Sequence, residues 1–285
     1  MYTTYLLQSR TKITCQTFLF QNILQEILNL TKRLLLQAMR RPAHIIAGLI
    51  QPLLWLLLFG ALFKDIPLQS FDPGFGYNSF LNCGILIFTC FTGSLNAGLP
   101  LVFDREFGFL NRLLVIPITS KNSILFATML FITSVTMLQN LIILSYSFKS
   151  FTHILYTCKL YIILTISLLI TTITSIISLS FAFILPGHIE FLAFILIINL
   201  PMLFASTALA PLYFMPHWLQ ILAKLNILTY AIEATRFITI NTSFNSTIIE
   251  AMGLHFSLNN IFQLLLVVNF STIIVITRII NKKLE

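Results

Sequence analysis

The chain has 285 residues, of which 57% are apolar and 9% are charged, with 27 phenylalanines and a formal net charge of +8. A water-soluble globule carries nearer a quarter charged residues, so the composition excludes a soluble domain and leaves a membrane protein. The positive excess needs no nucleic-acid partner, because no basic face interleaved with aromatics lies outside the apolar runs and anionic headgroups account for the charge.

In chain order, the first periodic element is "NILQEILNLTKRLLLQAMRRP". Asn22, Glu26, Asn29, Arg33, Gln37 and Arg40 recur every three to four residues on one helical face, and Ile23, Ile27, Leu30, Leu34 and Ala38 line another. Such a helix lies in the interface plane, apolar row toward lipid, with Lys32, Arg33, Arg40 and Arg41 facing the headgroups. It serves either as a membrane anchor or as a lever packed against a partner. Pro42 suits the turn into the first span. The domain division that follows is an N-terminal segment, 1–41, and a transmembrane domain, 42–285.

Crossing about 30 Å of hydrocarbon takes roughly 20 helical residues. Six stretches are apolar for long enough: 42–63, 77–101, 122–148, 160–185, 190–210 and 257–278. They read as helices, since runs such as "IIAGLIQPLLWLLLFGALF" do not alternate as barrel strands would. The expected fold is therefore all-α with six transmembrane helices and an interfacial helix before them. With the N-terminus inside, Arg10, Lys12, Lys32, Arg33, Arg40, Arg41, Arg105, Arg112, Lys121, Arg278, Lys282 and Lys283 lie on the inner side. Lys64, Lys149, Lys159, Lys224 and Arg236 lie outside, a bias that puts both termini on the positive side. The first span is expected to act as its own insertion signal.

Within the second span, Gly93 with Ala97 and Ser94 with Gly98 are small pairs four apart, suited to close helix packing. The five histidines have no second ligand at helical spacing, and Cys15, Cys83, Cys90 and Cys158 show no metal-ligand spacing, so no metal is expected. No nucleophile, base or metal set for catalysis is visible. No acid falls within the six spans except Glu190 at the mouth of the fifth, which disfavours proton or sodium coupling.

Between the second and third spans stands "FDREFGFLNRLLVIPITSK", a concentration of charge in a chain that has little. Asp104, Arg105, Glu106, Arg112 and Lys121, with Leu110, Leu113 and Leu114 at helical spacing, predict a short amphipathic helix stopped by Pro117. Composition alone also permits a plain charged loop that fixes orientation. The string resembles the corresponding loop of the ABC-2 type transporter permeases, membrane subunits of ATP-driven exporters, whose pattern is close to E-R-x-x-G-T-L-E-x-L-L-x-x-P. Arg105, Gly108, Leu110, Leu113, Leu114 and Pro117 match it, and Asp104 stands at the first acid. Phe109 and Asn111 replace the usual Thr and Glu, so the second acid is lost.

A second stretch, "PLYFMPHWLQILAKLNILTYAIEATR", resembles the family's outer hairpin between the fifth and sixth spans. Pro211, Pro216, Trp218, Leu219, Asn226, Tyr230 and Arg236 match; Ile227 departs from the usual Pro. Two prolines break the helix there, Trp218 and Tyr230 suit the outer interface, and Glu233 can reach Arg236 at i to i+3.

The resemblance, which covers nearly the whole chain, implies a re-entrant hairpin or gate at those outer residues and one half of a permease homodimer. It implies a coupling role toward an ABC ATPase subunit for Asp104, Arg105, Glu106, Gly108, Leu110, Leu113, Leu114 and Pro117. No G-x-x-x-x-G-K-[ST] string is present, so ATP would be bound by that partner and no cofactor by this chain. The alternative is a non-transporting membrane assembly factor or scaffold, for example in cofactor or cytochrome maturation. Span interiors rich in Phe, Leu, Ile, Thr and Ser suit an amphipathic or lipid-like cargo. The chain also resembles the plastid-encoded algal branch of the family, which implies a plastid membrane, with a bacterial inner membrane as second choice.

Overall fold

The structure, a computed structural model, describes residues 22–40, 42–63, 77–115, 122–147, 157–240, 249–251 and 254–284. Its helices are α1 (22–40), α2 (Pro42–Leu62), α3 (Tyr77–Leu95), α4 (Leu99–Glu106), α5 (Phe109–Val115), α6 (Asn122–Ser147), α7 (Thr157–Ile184), α8 (His188–Phe204), α9 (His217–Leu225), α10 (Ile227–Ile240) and α11 (Leu258–Leu284). Among the described residues, two 3-10 turns, Asn96–Gly98 and Leu212–Phe214, interrupt the helices. An antiparallel ribbon pairs Ile249–Ala251 with Leu254–Phe256, so the helical class carries one small addition.

Among the described residues, four helical stretches are long and apolar enough to cross a membrane: Tyr77–Glu106, Ser123–Ser145, Lys159–Ile184 and Leu258–Arg278. Gly48–Leu62 and His188–Phe204 are shorter apolar helices. The second expected span ends later than its charge pattern indicates, because the helix continues through the 3-10 turn to Glu106 and its charged residues find protein partners.

α3 and α7 form the centre. On α3, Leu81, Ile85, Ile87, Phe88 and Cys90 are all buried, and α7 contributes Ile166, Ile170, Ile173, Ile176 and Leu179. Buried hydroxyls on α7 satisfy themselves on the preceding turn, as Thr174 does by donating to the Ile170 carbonyl at 2.8 Å. α8 is peripheral, burying Phe191, Ile195 and Leu203 while Leu196 and Ile197 stay exposed.

α10 packs into the bundle, with Ala231, Ile232, Ala234 and Ile238 buried. One placement differs from expectation. α1 turns its expected lipid-facing row toward protein. Leu34 is buried with Ala97, Phe131 and Ile132, Ala38 packs beside them, and Leu30 joins the main core. Glu26 accepts a hydrogen bond from Ser123 at 3.3 Å, and Thr31 donates to the Ala127 carbonyl at 3.3 Å. A second apolar stripe, Leu24, Leu28, Leu35 and Met39, is exposed instead. The two stripes are neighbours on one helix, and periodicity does not say which of them meets protein.

Candidate functional site

The charged segment is a helix-turn-helix rather than one helix. The Phe107 N–H bonds the Phe103 carbonyl at 2.9 Å, and the Gly108 N–H bonds the Arg105 carbonyl at 3.2 Å. Gly108 has φ +70°, the left-handed conformation that ends helices and that glycine adopts without a Cβ penalty. α5 then restarts, with the Arg112 N–H reaching the Gly108 carbonyl at 3.4 Å. Leu110 is buried in the main core with Phe109 packed against it, whereas Phe107 and Val115 are 79% and 85% exposed. The side chains of Leu113 and Leu114 lie outside the described set, as do residues Pro117 and Arg41.

Three consecutive charges at the end of α4 reach three different elements. Asp104 forms an ion pair with Arg33 of α1, whose guanidinium also sits 4.2 Å from the centroid of the Phe109 ring. Of the other basic residues placed on the interfacial helix, Lys32 and Arg40 are exposed. Arg105 donates to the carbonyls of Ala182 (3.0 Å), Leu185 and Pro186 (2.7 Å). Glu106 accepts the His188 backbone N–H at 2.6 Å and meets the His188 ring Nδ1 at 2.5 Å.

The last two placements complement helix electrostatics. The C-terminal carbonyls of α7 and the first N–H groups of α8 lack intrahelical partners, and the two ends carry partial negative and positive charge. Arg105 supplies donors to the first and Glu106 an acceptor to the second. Residues 185–187, the turn between α7 and α8, are thereby held by one dipeptide from α4.

At the other expected site, Arg236 is 4% exposed. Its guanidinium pairs with Glu233 at 2.5 Å, donates to the carbonyls of Thr207 and Phe80, and stacks 3.5 Å from the Phe80 ring centroid. Asn226 caps α10 by accepting the Leu228 N–H at 3.0 Å, while its amide donates to the Ala205 carbonyl at 2.7 Å past the end of α8. Tyr230 donates to the Lys224 carbonyl at 2.8 Å, closing the end of α9. Pro216 precedes α9 and Pro211 precedes the second 3-10 turn. Trp218 is 64% exposed beside Ile221, Leu222 and Leu225, an apolar row at helical spacing. Arg236, Glu233, Asn226 and Tyr230 thus knit the ends of α8, α9 and α10, and Trp218 points away from them.

The small residues of the second span face four helices, α1, α6, α7 and α8. Ser94 hydrogen-bonds Thr174 of α7, and a Cβ on Gly98 would meet Phe191, Ser178 and Ala182 within 2.9 Å. A Cβ on Gly93 would lie 2.6 Å from Thr136 of α6, and Ala97 is buried under α1. Among the described residues, no group of three or more His, Cys, Asp or Glu side chains could hold a metal.

Residues 25–240 match the sequence profile of the ABC-2 type transporters. The chain belongs to that family. The matched region begins in α1 and ends at the last residue of α10, so it contains both the Arg33–Asp104 pair and Arg236. Proteins named "Putative transport permease ycf38" are similar along most of the length. The one from Porphyra purpurea is 49% identical over 265 residues, covering 92% of this chain and 91% of the relative. Those from Pyropia yezoensis and Cyanophora paradoxa are 47% and 48% identical, covering 93% and 80% of this chain and 91% and 79% of theirs. The chain is thus a membrane permease of the ABC-2 family.

Sequence reasoning missed His188 and the 185–187 turn of this ABC-2 permease. "LPGH" does announce a helix break and restart, by Pro186 and Gly187. Nothing in it says that an acid eighty-two positions upstream closes the gap.

Proposed function

We propose that this chain is the membrane subunit of an ATP-driven ABC exporter, working as a homodimer with a separate ATPase subunit that binds the nucleotide. The observation that carries the reading is the family match, which spans residues 25–240, from α1 to α10. The exposed Phe107 and Val115 around the Gly108 turn give the charged segment an outward face on which an ATPase subunit can dock.

Six spans complete this topology. α2 has 21 residues and, at about 1.5 Å each, reaches roughly 31 Å. α8 has 17 residues, about 25 Å, and the turns flanking it make up the remaining depth. The second 3-10 turn and α9 form the outer hairpin, with exposed Tyr213, Phe214 and Trp218 at the interface, and both termini lie on the positive side. ATP binding closes the partner subunits, and the bundle alternates between inward-open and outward-open forms. The cargo is amphipathic or lipid-like. The relatives occur in red algae and a glaucophyte, which supports a plastid membrane.

A mild-detergent pull-down of the tagged chain from its own membranes, with a crosslinker attached at Phe107→Cys, tests the proposal. An ATPase subunit joined to position 107 supports it. Recovery of the chain alone, or with assembly proteins only, overturns it.

A further inference from the structure

We infer that Arg105 and Glu106 are positioning residues that carry movement of the charged segment into α7 and α8, and are not themselves the contact with a partner. The inference deepens the exporter reading and rests on it. In that reading the acidic and basic residues of the loop are natural candidates for docking. The geometry engages both of them with partners inside the chain, Arg105 half-buried and Glu106 at an exposed position.

Arg105 spends its guanidinium on three backbone carbonyls at the end of α7, and Glu106 spends both carboxylate oxygens on His188 at the start of α8. The packing around them is tight: a Cβ on Gly187 would lie 2.6 Å from Glu190 Oε2 and 2.9 Å from Glu106 Oε1. Phe103 adds a ring contact to His188 at 5.4 Å between centroids. Charge-assisted bonds of this kind are short and strong. They also join α4 to two helices at once, so α4 cannot shift without carrying the α7–α8 turn or breaking the clamp. Glu106 is exposed as well, but both its oxygens are taken by His188, so outward contact falls to the exposed Phe107, Arg112 and Val115.

The test uses the full chain in lipid nanodiscs with its ATPase subunit, in a background where Cys15, Cys83, Cys90 and Cys158 are replaced by Ser or Ala. Spin labels are placed at exposed Val115, Ile189 and Leu58, and distances are read with and without ATP trapped by vanadate. In the parent, ATP should change the Val115–Leu58 and Ile189–Leu58 distances together and leave Val115–Ile189 fixed. In Arg105→Gln and Glu106→Ala, Val115 should still respond while Ile189 no longer follows. Arg105→Lys should restore part of the response.

Amide exchange at His188 in the chain alone checks that the clamp exists without reference to any ATPase. Glu106→Ala should speed it about tenfold, the loss of one charge-assisted hydrogen bond. If Ile189 follows Val115 unchanged in both clamp variants, or if either variant sheds the ATPase while Phe107→Ala retains it, the inference is wrong and the exporter reading stands. If no ATPase associates with the parent, or ATP moves neither label in it, both fall.

Discussion

Arg33 and Asp104 stand seventy-one positions apart and form an ion pair that fastens α1 to the end of α4. Their side chains are 25% and 22% exposed, so the pair is screened only in part. Exposed pairs contribute up to about 1 kcal/mol, and a cation over an aromatic face contributes roughly 0.5–1 kcal/mol more. Arg33 makes both contacts and Asp104 one. Arg33→Gln should therefore loosen α1 more than Asp104→Asn does, seen as faster amide exchange across residues 27–38. Equal effects from the two substitutions would remove the Phe109 contact from the explanation.

At the other end of the bundle, Arg236 is a buried cation whose loss should be costly. Removing one partner of a buried pair costs about 3–5 kcal/mol, and the 22% exposure of Glu233 puts this case near the lower figure. Arg236→Met should lower the thermal midpoint of the detergent-solubilised chain clearly. Glu233→Gln should lower it less, because Arg236 keeps the Thr207 and Phe80 carbonyls as acceptors. The reverse order would mean that the acid, not the carbonyls, holds this arginine.

The two regions differ in how legible they were. Charge is so sparse in this chain that Asp104, Arg105 and Glu106 stood out at once, and Pro211, Trp218, Asn226, Tyr230 and Arg236 formed a readable string. The partners were hidden for a physical reason: the acceptors of Arg105 and Arg236 are backbone carbonyls, which every residue has and no sequence marks. The Glu233–Arg236 pair on α10 is legible from its i to i+3 spacing, whereas the burial of that helix is not. The end of α3–α4 lies beyond the limit that charge alone sets, because Asp104, Arg105 and Glu106 are bonded to other helices there. The periodicity of α1 is legible, while the choice between its two apolar stripes depends on Phe131 and Ile132, about a hundred residues away.

Two glycines should respond to substitution for opposite reasons. In a helix interior, Gly→Ala ordinarily stabilises by about 0.5–1 kcal/mol. At Gly84 the added methyl would run into the backbone of Ala208, which cannot swing aside, so Gly84→Ala should destabilise the fold. At Gly108 nothing lies within 4 Å of an added Cβ, and the cost is conformational: about 1–2 kcal/mol for the left-handed backbone. Gly108→Asn should recover part of that cost, since Asn tolerates this region. Gly84→Asn should not. Thermal unfolding of the four variants separates the two mechanisms, and recovery by Asn at both sites would show that the Ala208 contact does not constrain position 84.

Ser178 offers the sharpest test of how the second long helix keeps its 3-10 turn. Its hydroxyl accepts the Gly98 N–H at 2.9 Å and donates to the Leu95 carbonyl at 2.5 Å, bridging the two ends of the turn. Both groups are buried, so no water is at hand to substitute. Ser178→Ala should remove two buried hydrogen bonds, each contributing about 0.5–1.5 kcal/mol. Ser178→Cys should cost nearly as much, because a thiol is a weak acceptor. The local signature would be faster exchange of the Gly98 amide with little change at the Ser94 side of the helix, where Thr174 still bonds. A 3-10 turn that stays protected in Ser178→Ala would mean that close packing of Gly98 against Phe191 and Ala182 holds it instead.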